Sequence, residues 1–128
     1  VRPQIYSVLE HLSKHYKIAL ASSSRLYTIN NALDQAGLRK YFSFIVSGEQ
    51  FKESKPNPEI YLHTIKELNV NKDEAVIIED SPKGILAANR AGIKVLALKD
   101  DKFGLDQSQA DIIIDKLNDI IKFIEKGS

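Results

Sequence analysis

The sequence predicts an α/β fold in which a mostly parallel sheet is covered by helices on both faces. Three observations lead there. Short apolar runs, Lys17–Ala21, Phe44–Ser47, Ala75–Ile78 and Lys94–Leu98, are of strand length and too short for buried helices. Between them lie segments with apolar residues at helical spacing. Regular alternation of the two is the pattern of right-handed strand–helix–strand crossovers in a layered domain.

Each element has its own local reason. Gln4 to His15 carries Ile5, Val8, Leu9 and Leu12 at helical spacing, and the apolar strand Lys17–Ala21 follows. Ser22, Ser23 and Ser24 supply hydroxyls able to cap a helix that presents Ile29, Leu33 and Ala36 inward and stops at Gly37. Phe44–Ser47 is the second strand. After the loop from Gly48 to Asn57, Pro58 suits the first turn of a helix whose apolar face is Ile60, Tyr61, Ile65 and Leu68. Ala75–Ile78 is the third strand, and Ser81 to Ala91 a helix ended by Gly92. Lys94–Leu98 is the fourth, and Ile112–Ile114 a short edge strand before a final amphipathic helix. There is no repeat and no low-complexity stretch.

Composition narrows the function classes. With 128 residues, 43% hydrophobic and 27% charged, the whole chain, 1–128, is expected to form one core. Eighteen basic against 17 acidic residues leave a net charge of +1, which argues for neither a nucleic-acid nor a membrane-surface partner. No apolar run approaches the roughly 20 residues that span a bilayer. The absence of cysteine removes disulfides and thiolate chemistry and fits a reducing cytoplasm. His11, His15 and His63 fall on expected helices without metal-ligand company.

In parallel sheets ligands gather at the carboxyl ends of the strands, and the chemistry-bearing residues are expected there. Glu79 and Asp80 follow the third strand directly; two hard, charged oxygen donors suit Mg2+, which bridges carboxylates to phosphate and keeps waters. Asp80 or Ser81 would equally serve to cap the next helix. Ser22 can donate its hydroxyl and its backbone N–H to a phosphate oxygen at a helix N-terminus, or simply cap that helix. Lys55, between Ser54 and Pro56, offers an ammonium to a phosphate. Arg25 either contacts substrate or sits on the helix surface.

Three stretches in order, Ile18–Ser22, Ser54-Lys-Pro-Asn-Pro-Glu-Ile-Tyr61 and Ile77-Ile-Glu-Asp-Ser-Pro-Lys-Gly-Ile-Leu-Ala-Ala-Asn-Arg-Ala-Gly92, closely resemble the haloacid dehalogenase-like (HAD) hydrolase superfamily, above all its beta-phosphoglucomutase-like branch. The resemblance implies a three-layer α/β/α Rossmann-like core. It implies phosphatase or phosphomutase activity on a phosphorylated small molecule through an aspartyl-phosphate, with Mg2+ as cofactor. By motif position Ser22 is the phosphate-binding hydroxyl, with Ser23 and Arg25 beside it; Lys55 is the phosphate-binding lysine, Ser22 and Lys55 serve catalysis, and Glu79 and Asp80 are the acidic metal pair.

The sequence also departs from that family. Its first motif, Asp-x-Asp at the end of the first strand, is absent, and no Asp in the chain has another two residues on. The helical cap domain of many members is absent too. The expectation is therefore the C-terminal portion of a longer hydrolase or phosphomutase, or else a non-catalytic phosphate- or metal-binding or regulatory module. In the family the first strand lies centrally, so its loss exposes two inner strand edges. The sheet should then close directly, with Ala19 against Ile77, or recruit a strand from a second copy or a missing N-terminal segment.

Overall fold

The computed structural model describes residues 3–127. The elements run α1 (Gln4–Ser13), β1 (Ala19–Ser22), α2 (Leu26–Ala36), β2 (Phe44–Ser47), α3 (Glu59–Leu68), β3 (Val76–Glu79), α4 (Pro82–Ala91), β4 (Lys94–Leu98), β5 (Ile112–Ile114) and α5 (Asn118–Gly127), with single 3-10 turns in the connections. β4 and β5 fall where the sequence puts them, and α1 is shorter than expected, so His15 lies beyond its end. All strand pairs are parallel.

Helix ends follow local chemistry. The Ser81 hydroxyl accepts the Gly84 N–H at 3.1 Å and Pro82 opens α4, while Gly92 closes it at φ 74°. α2 ends the same way on Gly37, φ 68°.

Helices pack on both faces. Ala21 of β1, Phe44 and Val46 of β2, Ala75 and Ile77 at β3, and Val95 and Ala97 of β4 meet Ile60 and Tyr61 of α3 and Ile85, Ala87, Ala88 and Ala91 of α4 in one core. On the opposite face Val8 and Leu12 of α1 meet Ile114, Leu117 and Ile120, and Leu9 meets Ile29, Leu33 and Leu38 around α2. Alternate strand residues thus feed the two faces, as a buried parallel sheet requires.

The sheet has a break. β1 pairs with β2, β3 with β4 and β4 with β5, giving a two-stranded and a three-stranded sheet. Among the described residues β1 and β3 form no ladder, so the expected direct closure of Ala19 on Ile77 does not occur. The two inner edges stay open. Val76 and Ile78 of β3 are 38% and 40% exposed, although apolar side chains inside a parallel sheet are ordinarily covered. On the other side of the break, Leu20 and Ser22 of β1 and Thr28, Ile29, Ala32 and Leu33 of α2 line a largely apolar groove.

Candidate active site

The residues singled out from sequence converge at the carboxyl ends of β1 and β3, on either side of the break. β1 ends at Ser22, β3 ends at Glu79, and the loop before α3 brings Lys55 between them. The Lys55 ammonium donates to the Ala21 carbonyl at 3.3 Å and to Glu79 Oε2 at 3.1 Å. Their side chains are only 11% and 15% exposed, so this is an ion pair largely withdrawn from water. Such pairs hold geometry more than they add stability, because desolvation offsets much of the attraction.

Glu79 is held on both oxygens. Oε2 also accepts the Tyr61 hydroxyl at 2.8 Å. Oε1 accepts the backbone N–H of Asp80 at 3.0 Å and of Ser81 at 3.3 Å, with the Ser81 hydroxyl at 3.4 Å. Burial pushes the Glu79 carboxyl up, but the Lys55 charge and the donors from Tyr61, Asp80 and Lys55 outweigh it and leave the group below its ordinary range. Tyr61 moves the opposite way: burial, then the Glu79 charge and hydrogen bond, raise its phenol far above the usual value. It stays a protonated donor. Asp80 is exposed, and its carboxyl is raised by partial burial and then by the neighbouring Glu79 charge.

The serine turn after β1 is laid out differently from the expectation. The N-cap of α2 is Arg25, without a side-chain cap, so the serines do not cap it; the Leu26 N–H is taken instead by Glu49 Oε1 at 2.9 Å. Ser22 Oγ accepts the Ser24 N–H at 3.1 Å, a local turn that leaves its hydroxyl proton to donate. Ser47, wholly buried, ties the turn down by donating to the Ser24 carbonyl at 2.6 Å. Ser23 is exposed, and Arg25 points to solvent with Nε 4.0 Å from Glu49. Ser22 joins the cluster by position, one residue beyond the carbonyl that Lys55 grips, whereas Ser23 and Arg25 lie at its rim.

Sequence reasoning placed Tyr61 only in a hydrophobic face and gave Gly84 no role. In the structure an added Cβ at Gly84 would overlap the Glu79 carboxylate, so this glycine lets α4 close over the side chain. Both had a legible signal. A buried tyrosine needs a partner for its hydroxyl, and a glycine in a helix interior usually has a packing reason. Glu49 had none.

Mg2+ can be tested against the donor set. Glu79 and Asp80 offer hard carboxylate oxygens, the right kind for Mg2+. Among the described residues no three acidic, His or Cys side chains cluster as a metal site. With the Glu79 oxygens engaged, Asp80 is the carboxylate most open to a cation. The residues fit Mg2+ in kind, as part of a ligand set that waters and phosphate oxygens would fill.

Comparison with known proteins settles the family. The family model for haloacid dehalogenase-like hydrolases matches residues 1–98. The chain belongs to the HAD-like hydrolases. A phosphorylated carbohydrates phosphatase of Thermotoga maritima is 42% identical over 93 residues, covering 72% of this chain and 43% of that protein. A phosphoglycolate phosphatase of Aquifex aeolicus is 32% identical over 124 residues, covering 96% and 58%. Among solved structures, a Thermotoga maritima protein predicted to be a beta-phosphoglucomutase superposes with TM-score 0.85 at 34% identity, covering 98% of this chain and 60% of that one. CbbY from Rhodobacter sphaeroides, in complex with phosphate, superposes with TM-score 0.84 at 27% identity, covering 93% and 55%. This HAD-like chain thus spans 43% to 60% of the length of these relatives. No helix among its described residues is long and apolar enough to cross a membrane.

Proposed function

We propose that residues 1–128 form the phosphate- and cation-binding half of a Mg2+-dependent phosphatase or phosphomutase acting on a phosphorylated small molecule. The observation that carries this reading is Lys55, whose ammonium spans from the Ala21 carbonyl beside Ser22 to the Glu79 carboxylate. A cation fixed between a hydroxyl-bearing turn and an acidic pair suits a phosphoryl group held at the sheet's carboxyl end.

In this reading the Ser22 hydroxyl donates to a phosphoryl oxygen and Lys55 offsets its charge. Glu79 keeps the lysine in place, and Ser23 and Arg25 at the rim contact the rest of the substrate. Asp80 would hold Mg2+, with the Glu79 charge beside it, and the ion would offset charge on the phosphoryl oxygens when bound. A carboxylate nucleophile forming an aspartyl-phosphate splits the displacement into two steps. No described Asp is placed for that role, so the nucleophile comes from a strand that seats between β1 and β3. Support for the strand is the break itself, with its apolar groove and the exposed Val76 and Ile78. A second copy of this chain holds no Asp-x-Asp, so the nucleophile-bearing strand belongs to another stretch of polypeptide.

The test is Mg2+-dependent release of phosphate from phosphorylated sugars and phosphoglycolate. The 128-residue chain is assayed alone and with a synthetic apolar strand ending in Asp-x-Asp. No turnover alone and turnover with the strand, lost in Lys55→Ala, supports the reading. Turnover by the chain alone would place the nucleophile within it. No turnover in either form, with phosphate binding retained, would leave a non-catalytic binding module.

A further inference from the structure

Gln107 belongs to none of the motifs, yet it is 7% exposed and its amide is fully used. Its Nε2 donates to the Asp80 carbonyl at 3.0 Å and to the Leu98 carbonyl at 2.8 Å, and its Oε1 accepts the Asp100 N–H at 3.1 Å. One side chain therefore ties the residue after β3 to the end of β4 and to the loop beyond it. Its own backbone is anchored, since the Gln107 carbonyl accepts the Ala110 N–H at 3.1 Å and Asp111 exchanges hydrogen bonds with Val95 of β4. The loop between is also tied: the Asp100 carboxylate accepts the N–H groups of Lys102, Phe103 and Leu105.

The consequence falls on Asp80. Its N–H is held by Glu79 Oε1 and its C=O by Gln107, so both peptide planes flanking its Cα are pinned. Two fixed planes set the direction of the Cα–Cβ bond, and with it the narrow range of positions that the exposed carboxylate can reach through its own χ1 and χ2. We propose that Gln107 is a positioning residue, whose amide orients Asp80 toward the bound cation. The inference rests on the cation reading above and adds the residue that prepares its most open ligand. An amide is needed there, because two carbonyls require donors and one N–H an acceptor. Neither a leucine nor an ionised glutamate meets all three.

The experiment uses Mn2+ in place of Mg2+ and follows paramagnetic broadening of the Asp80 and Ser81 amide signals in the 128-residue chain. Gln107→Leu is expected to weaken that effect by about 10- to 100-fold in Mn2+ concentration, the usual range for losing a group that orients a metal ligand. Thr64→Val removes another buried hydrogen bond, from Thr64 Oγ1 to the Ile60 carbonyl, far in sequence from Asp80. It should leave Mn2+ affinity unchanged. Equal affinity in Gln107→Leu and the unsubstituted chain, or an equal loss in Thr64→Val, overturns the proposal. Should Gln107→Leu not fold, Gln107→Glu keeps the shape and the acceptor but not the donors, and the same loss is expected. If the unsubstituted chain shows no Mn2+ effect at Asp80, the cation reading fails by itself. The backbone and χ1 couplings of Asp80 then decide: averaging on loss of the amide supports the positioning role, and unchanged couplings refute it.

Discussion

Gly84→Ala offers a test in which helix propensity and site geometry demand opposite signs. In a helix interior alanine is favoured over glycine by about 1 kcal/mol, and by less in the first turn, where Gly84 lies. At this position the new methyl would overlap Glu79 Oε2, Cδ and Cγ, its three nearest neighbours. The far end of a side chain can often move aside cheaply, but this one cannot, because Lys55 and Tyr61 hold Oε2 and the Asp80 and Ser81 N–H groups hold Oε1. Moving it costs overpacking of roughly 1–3 kcal/mol and weakens hydrogen bonds to a charged group worth about 1.5–3 kcal/mol each. The expected net effect is a loss of about 2–4 kcal/mol despite the propensity gain. Urea unfolding of four chains closes the cycle: unsubstituted, Gly84→Ala, Glu79→Ala and the double variant. With Glu79 truncated the obstruction is gone, and the alanine should become neutral or stabilising. A Gly84→Ala chain as stable as the parent, or an equal loss with Glu79 truncated, would refute the account of this glycine.

The remaining predictions concern the same cluster. Tyr61→Phe removes one donor from a buried carboxylate without opening a cavity; a destabilisation of about 1.5–3 kcal/mol is expected in urea unfolding. Glu79 has a folded-state pKa below its unfolded value, so its stabilisation is present above the unfolded value of about 4.3 and lost as pH falls through the folded one. The urea midpoint of Glu79→Gln should therefore depend less on pH across that acid window than the parent's. Asp80 has the opposite sign: its raised folded-state pKa means that ionisation costs stability at neutral pH. Asp80→Asn should raise the melting temperature at pH 7 while abolishing Mn2+ broadening at Ser81.

The fold was legible because the local signals agreed with one another. Gly37 and Gly92 end helices in the left-handed conformation, Pro82 and Ser81 begin one, and the apolar run Lys94–Leu98 is a strand along its whole length. Exposure of two inner edges was foreseeable from the missing first strand, whereas the direct closure of Ala19 on Ile77, one of the two expected remedies, does not occur. What escaped was long-range. Glu49 reaches the N-terminus of α2 from 23 residues away, and no period or turn signal in the sequence places a carboxylate there. Gln107 contacts Asp80 across 27 residues, from a loop that reads only as polar. Such contacts depend on how loops fall across the carboxyl ends of the strands, which patterning along one chain does not encode. Lys55, Glu79 and Asp80 were legible as candidates. Their division of labour, one carboxylate fixing a lysine and the other left open, emerges only from the hydrogen bonds.

That division bears on the order in which ligands enter. Among the described residues Lys55 is the one cation in contact with the buried cluster, and Glu79 already neutralises it at 3.1 Å. Asp80 adds a further negative charge beside Glu79, and the upward displacement of its carboxyl reflects that neighbour after partial burial. A phosphate dianion entering this arrangement alone would meet net negative charge and gain little from a lysine already paired. A divalent cation at Asp80 reverses the local sign, so each ligand should strengthen the binding of the other by the same factor. Calorimetric titration of the 128-residue chain with inorganic phosphate, with and without Mg2+, measures that factor directly. Coupling of about 1–3 kcal/mol is the expected size for such linked sites, and Asp80→Asn should abolish it. Phosphate binding equally well in the absence of Mg2+ would mean that Lys55 leaves Glu79 for the phosphate. The acidic pair would then be a latch on the lysine, with no part in holding a cation.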